Sequence, residues 1–397
     1  MARLLTCRCG SAIATNRRRA ITCGHCGHVH TADDLPPRIL YPRTPPPSAE
    51  LPCIHRGAAV DFADCPCQGD TRVYTCDIHH RAQIHRLAPG LGPKAVCDRC
   101  PDRTDPAGVA AIITTHFNPA GFAALRRTYL NWLPTVGHPV HCIELAFDHS
   151  PAELPGATVI RGDASQVLWQ KERATNLAIR SLPPWVRLVA WIDHDLVLTR
   201  HDWLAEAAAR ITAGAHAVQL FDRIRYLDAD GSTIDERPSA TAVLAAGGRP
   251  GTAPGGAWMA SRDWLTSIGG LYDANVVGGG DATFFAALTK SDDGHTRRQT
   301  PRLRDHSTRY INRITDARWD FVPGLAVHLW HGDRSRRQYV TRDDILARHD
   351  FDPTRHIEPA PNGLWRWTSA APRALLTDVA AYFAARAEDT GGKSRIG

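Results

Sequence analysis

The stretch Leu188-Val189-Ala190-Trp191-Ile192-Asp193-His194-Asp195 ends an apolar run on two carboxylates one residue apart. Residues i and i+2 of an extended chain point the same way, so Asp193 and Asp195 can face one pocket. Such a pair suits a hard divalent cation, Mn²⁺ or Mg²⁺, bridging the protein to a diphosphate. Acidic residues at strand ends also serve as caps and turns, so the motif needs company. Downstream stand Pro254-Gly255-Gly256-Ala257-Trp258 and Gly278-Gly279-Gly280-Asp281. Glycine runs let backbone approach a ligand closely. Asp281 opens a helical run over 282–288, where it can cap the helix, act as a catalytic carboxylate, or do both. Residues 327–330 read as a strand end, and an imidazole there would complete a metal shell begun by Asp195.

The elements that must hold these groups follow from periodicity. Short apolar runs at 109–115, 140–147, 159–160 and 186–192 read as buried parallel strands. Between them, 119–133 reads as a helix with Asn118 as cap and Pro119 in its first turn. A second helix covers 166–182 and another starts near His201. Strands alternating with helices predict an α/β domain with a mostly parallel sheet and right-handed crossovers. Ligands bind such sheets at the carboxyl ends of strands, where 114–118, 147–148 and 193–195 fall. Residues 341–344 resemble a capping box opening a helix through Arg348. Residues 362–367 form a turn with two aromatics, and 372–386 an Ala-rich helix. Residues 388–397 read as a disordered end, with 390–397 set apart as a tail.

Ten of the eleven cysteines precede residue 101. Cys7, Cys9, Cys23 and Cys26 are two close thiol pairs on a short arm, a pattern that closes a tetrahedral zinc site. Such a site supplies folding energy that a module of this size cannot draw from its core. Cys53, Cys65, Cys67, Cys76, Cys97 and Cys100, interspersed with His55, His79, His80 and His85, predict further structural zinc, with the pairing left open. Cys142, in an apolar stretch, reads as a core residue. The predicted organisation is a zinc-ribbon-like module at 1–34, a proline-rich linker at 35–52, a second Cys/His-rich module at 53–105 and the α/β domain at 106–389.

Net charge is +6, and residues 1–105 hold 14 Lys/Arg against 10 Asp/Glu. This balance is weaker than that of a dedicated nucleic-acid binder. No run of 18 apolar residues exists and the N-terminus has no signal-peptide hydrophobic stretch, so the chain is expected in the cytoplasm, without membrane insertion and with its thiols reduced.

Taken in order, Trp169-Gln170-Lys171-Glu172-Arg173 with Asn176, Asp193-His194-Asp195, Gly255-Gly256 with Trp258, Ile268-Gly269-Gly270-Leu271-Tyr272-Asp273, Gly279-Gly280-Asp281 and His331 resemble a glycosyltransferase of the GT-A fold. The pattern is similar to the galactosyltransferase-like branch and to glycosyltransferases of tailed phages and some bacteria, and it covers about residues 109–350. The resemblance implies a Rossmann-like, mostly parallel domain that moves a sugar from a nucleotide-sugar, a UDP-sugar foremost, to an acceptor hydroxyl. It implies Asp195 and His331 as ligands of Mn²⁺ or Mg²⁺, with His328 the rival of His331, and Asp193 on the metal shell or the donor ribose. Thr114, Thr115 and His116 match the strand end that holds the nucleotide. Lys171 and Arg173 would meet the diphosphate, Gly256 the donor, and Trp258 a sugar face. Asp281 would be the general base of an inverting transfer. Galactosyltransferase relatives often carry an acidic residue where this chain has Gly280, which puts the acceptor type in doubt.

The acceptor is then a polymer, a protein or a hydroxylated DNA base; the last would need base flipping or large distortion. Two other classes compete. A non-catalytic zinc-ribbon nucleic-acid adaptor with a degenerate transferase domain would bind DNA in a salt-dependent way without turnover. A metal-dependent hydrolase would release free sugar without any acceptor.

Overall fold

The computed structural model describes residues 110–390, apart from 149, 184–185, 252 and 292–293, together with the backbone of four short strands nearer the N-terminus. Those strands form two antiparallel pairs, β1 (Arg3–Thr6) with β2 (Ala12–Thr15) and β3 (Ile21–Thr22) with β4 (Val29–His30). The ten cysteines expected to bind zinc, the proline-rich linker and the second module lie outside the described residues.

A seven-stranded sheet runs through the main domain. Its order is β14 (Trp319–Phe321), β10 (Ala217–Gln219), β13 (Ala257–Ser261), β8 (Leu188–Ile192), β5 (Ala110–Phe117), β6 (Val140–Phe147) and β7 (Thr158–Gly162). β7, β6, β5 and β8 are mutually parallel, β13 runs against β8 and β10, and β14 is parallel to β10. The expected α/β domain with a largely parallel sheet is therefore present. A second sheet has the order β12 (Thr233–Pro238), β11 (Arg223–Leu227), β15 (Leu325–His328) and β9 (Leu196–Leu198).

The central strands are apolar on both faces because both faces are covered. In β8 all five residues are buried. Val189 and Trp191 enter one core, while Leu188, Ala190 and Ile192 enter the other. The first core takes residues of helices α2 (Lys171–Ser181), α4 (Gly280–Thr289), α5 (Pro301–Arg313) and α6 (Arg373–Ala385). The second takes residues of α1 (Ala123–Trp132), α3 (Trp203–Thr212) and the smaller sheet. Each fully buried Val, Leu or Ile contributes roughly 1.5–3 kcal/mol. Cys142 is buried and free, as expected of a core thiol.

Several boundaries depart from the expected ones. α1 starts at Ala123 instead of Pro119. Asn118 still serves this end: its Oδ1 accepts from Phe122 N at 2.9 Å, and Gly121, at φ +69°, turns the chain before the helix. The helix expected over 166–182 splits into a 3₁₀ turn at Ala164–Gln166 and α2, because Trp169 N is drawn away to Val276 O at 2.9 Å. No capping box opens the helix Asp343–Arg348, whose N-cap Arg342 provides no side-chain cap. Residues 388–390 are not disordered: Glu388 is buried, and Asp389 accepts hydrogen bonds from the first turn of α1.

Candidate active site

The carboxylates of the Asp-His-Asp motif sit in a turn between the two sheets. Asp193 leaves the tip of β8, and its N–H donates to Gly256 O at 2.8 Å. Leu196 N donates to Asp193 O at 3.0 Å, closing the turn into β9. β9 then pairs with β15 in a register that sets His328 opposite Leu196, beside Asp195. Leu329 N donates to Asp195 O at 2.7 Å, so the backbone that follows carries His331 to the same carboxylate. His331 Nε2 lies 2.6 Å and His328 Nε2 3.4 Å from Asp195 Oδ2. One ligand atom from each of Asp195, His328 and His331 lies within 4.8 Å of the others. Both histidines therefore stand at the Asp195 carboxylate.

The electrostatics of this cluster suit a cation. Burial alone would raise Asp195, but His328, His331 and Arg337 hold it well below the usual carboxylate range. Burial pushes His328 down to about 3, against the Asp195 carboxylate that would raise it. One carboxylate and two imidazoles make a donor set that a divalent first-row metal such as Mn²⁺ can take. Arg337, itself buried, places Nη2 at 2.6 Å from His331 Nε2 and Nη1 at 3.3 Å from His328 Nε2.

Asp193 turns the other way and pairs with Lys171, the first residue of α2. Burial and Asp195 push Asp193 up, to about 6, against the ammonium of Lys171. Burial would lower Lys171, but Asp193, Glu172 and Asp281 together raise it. Beside it Glu172 is 5% exposed and accepts from Trp169 Nε1 at 2.7 Å. Burial, helped by Asp281, lifts Glu172 to about 7.

Asp281 reaches this group from the start of α4. The helix N-cap is Gly279, at φ +97°, so Asp281 is not the cap; it sits in the first turn, where Oδ1 accepts from Ala282 N at 2.8 Å. Gly255 makes room for it, and Gly280 makes room for Tyr272 and Glu172 beside it. A Cβ on Gly255 would lie 2.1 Å from Asp281 Oδ2. A Cβ on Gly280 would lie 2.5 Å from Tyr272 O and 2.7 Å from the Glu172 carboxyl carbon. An open cleft of about 140 Å³ joins these groups, lined by Lys171, Glu172, Asp193, Asp195, Asp281 and His331 among others. A small recess of about 20 Å³, bordered by Gly255, Gly256, Trp258 and Phe284, adjoins it through Lys171, Glu172 and Asp281.

The other residues singled out in the sequence divide between cleft and scaffold. Thr115 lines the cleft and shares a 3.1 Å hydroxyl contact with Thr175. Thr114 Oγ1 donates to Ile192 O at 2.7 Å, tying β5 to the tip of β8. His116 is buried between His194 Nε2, at 3.3 Å, and Glu153 Oε2, at 3.0 Å. His194, on the cleft wall, leaves Nδ1 buried without a hydrogen-bond partner. Arg173 points away from the cleft: it donates to Gly363 O at 2.6 Å, pairs with Asp273 at 3.3 Å and stacks 4.2 Å from the Trp365 ring. This corrects its expected place at the diphosphate. Trp258 is 1% exposed, its indole bonded to Pro254 O at 3.0 Å and its ring edge-on to Phe284. That placement corrects the expected open stacking face; the ring is core that borders the recess.

Sequence reading did not assign Arg337, Arg342, Arg386, Tyr339 and Tyr382 to the cleft, yet all five line it. Nor did it assign Glu388, which sits against His331 Nδ1. Arg337 follows His331 in a basic run, with Arg342 shortly after, which was a usable signal; Arg386 lies far along the chain. Glu388 stands 57 residues from His331, and only the fold connects the two.

No family model matches the chain, and no curated protein matches it. Solved structures that align with it include a Drosophila β1,4-galactosyltransferase 7 mutant in complex with manganese, UDP-Gal and xylobiose, at 10% identity, 46% of this chain, 61% of that one and a TM-score of 0.29. Glucosyl-3-phosphoglycerate synthase of Mycobacterium tuberculosis with phosphoglyceric acid aligns at 16% identity, 66% of this chain, 85% of that one and a TM-score of 0.31. 4-Diphosphocytidyl-2C-methyl-D-erythritol synthase of Anaerococcus prevotii aligns at 10% identity, 55% and 90% coverage and a TM-score of 0.27. The chain spans 61% of the length of the galactosyltransferase. TM-scores of this size, at identities this low, transfer neither a fold nor an activity to this chain.

Proposed function

We propose that this protein is a metal-dependent glycosyltransferase that moves a sugar from a nucleoside-diphosphate donor, a UDP-sugar, to an acceptor hydroxyl. The observation that carries this reading is the convergence of three sequence-distant pieces on one cleft: Asp195 with His328 and His331, Lys171 with Asp193, and Asp281 on its glycine entry. Asp195, His331 and His328 would hold Mn²⁺ or Mg²⁺. A cation held there supplies positive charge against the leaving diphosphate. Lys171, Arg337, Arg342 and Arg386 add fixed cationic charge to the same cleft. Asp193 belongs to the donor side, where its pairing with Lys171 keeps it in place.

Asp281 is the general base of this reading. Its Oδ1 is occupied by the Ala282 N–H, which orients the group and leaves Oδ2 to take the acceptor proton. As the acceptor oxygen bonds to the sugar carbon, the bond from that carbon to the diphosphate oxygen breaks. The proton passes to Asp281, and attack opposite the leaving group inverts the anomeric centre. Thr115 and His194 line the part of the cleft next to the strand tips, where the nucleotide would lie. Polymer, protein and hydroxylated DNA base all remain acceptor classes for this site, with the cysteine-rich front as the docking module.

The test is release of nucleoside diphosphate from a panel of nucleotide-sugars with Mn²⁺ and no acceptor, run beside Asp195→Ala. Slow hydrolysis of one donor that is lost in the variant and in EDTA supports the reading and names the donor. No release and no donor binding across the panel sinks it and leaves the zinc-ribbon adaptor.

A further inference from the structure

The chain beyond α6 closes the metal-ligand cluster from behind. Glu388 is 1% exposed, with Oε2 against His331 Nδ1 and Oε1 at 2.5 Å from Arg386 Nη2. A carboxylate paired with an arginine accepts, so His331 Nδ1 donates. In the neutral ring the Nε2 lone pair then accepts from Arg337 Nη2 at 2.6 Å, on the side of the ring where Asp195 stands. The next residue anchors the segment. Asp389 accepts from Ala123 N at 3.0 Å and Ala124 N at 2.6 Å, at the start of α1, where helix N–H groups lack partners and Phe122 gives no side-chain cap. The opposite side is equally close: Gly332 stands at φ +98°, and a Cβ there would come 2.7 Å from Glu388 Cα. A side chain at 332 would therefore drive the two segments apart.

We propose that Glu388 is a positioning residue for the metal site, fixing the His331 ring with Nε2 turned to the cation, and that residues 386–389 form a strap without which the site is incomplete. This rests on the metal-site reading above. An outer carboxylate of this kind sets the tautomer and orientation of a ligating histidine and raises its basicity.

Mn²⁺ titration of the full chain, followed by the electron paramagnetic resonance signal of the free ion, tests the proposal without donor or acceptor. Wild type binds and Asp195→Ala does not. Glu388→Gln, which keeps the shape and removes the charge, binds about 10–100-fold more weakly while the chain stays folded. Asp389→Ala, which loosens the strap without touching the carboxylate, also weakens binding and carries the test if Glu388→Gln does not fold. Wild-type Mn²⁺ affinity in Glu388→Gln, with only a lower melting temperature, overturns the proposal. Equal failure of wild type and Asp195→Ala to bind Mn²⁺ overturns the metal-site reading itself, and the proposal with it.

Discussion

Asp281 and Glu172 border the same cleft and behave differently. Asp281→Asn keeps the side chain's size and its contact with Ala282 N but cannot take a proton. It is expected to cut the rate of transfer by about 10²–10⁴-fold while donor affinity, measured by calorimetry, stays close to wild type. An unchanged rate would remove Asp281 as base. Glu172 makes a pH prediction. Burial lifts it from 4.5 to about 7 in the folded protein. A raised carboxyl pKa means its stabilising contribution is full below 4.5 and is lost as pH rises through 7. Glu172→Gln should therefore match wild type in stability at pH 4.5 and exceed it above pH 7, by an amount of order 1–3 kcal/mol. A stability difference that does not vary with pH contradicts this assignment.

Glycine entries are what let these elements meet. Gly255→Ala would set a Cβ 2.1 Å from Asp281 Oδ2, with a carboxylate on a helix start as the neighbour that must move. The variant, with its new Cβ in the recess beside Asp281, is expected to lose transfer activity much as Asp281→Asn does. Retained activity would show that Oδ2 is free to shift. At this scale the sequence was legible where one period dominated. The apolar runs of β6 and β8 and the Ala-rich α6 were expected and are present. α2 was read too long because Trp169 N bonds to the distant Val276 O, and α1 because Gly121, at φ +69°, turns the chain before Ala123. The same blindness hid Glu388 and misplaced Arg173, whose partners Asp273, Gly363 and Trp365 are remote in sequence. Trp258 was misread for another reason: nothing local distinguishes a ring facing a cleft from one packed on Phe284.

Across the whole domain, the site forms where the larger sheet hands the chain to the smaller one. β8 delivers Asp193 and Asp195, β9 and β15 bring the histidines across, and α6 leads the strap back to them. The Asp-His-Asp motif, the glycine entry and His331 were readable because each is a compact run of unusual composition. Their convergence was not, because it depends on the register of β9 with β15. Among the described residues no helix is long and apolar enough to cross a membrane. On the proposed reading this junction is a cation-dependent nucleoside-diphosphate site. Calorimetric titration of UDP into the full chain, with Mn²⁺ and again with EDTA, tests it most directly. Binding that requires Mn²⁺ and disappears in Asp195→Ala is the predicted result; absence of UDP binding, or binding indifferent to both metal and Asp195, would contradict it.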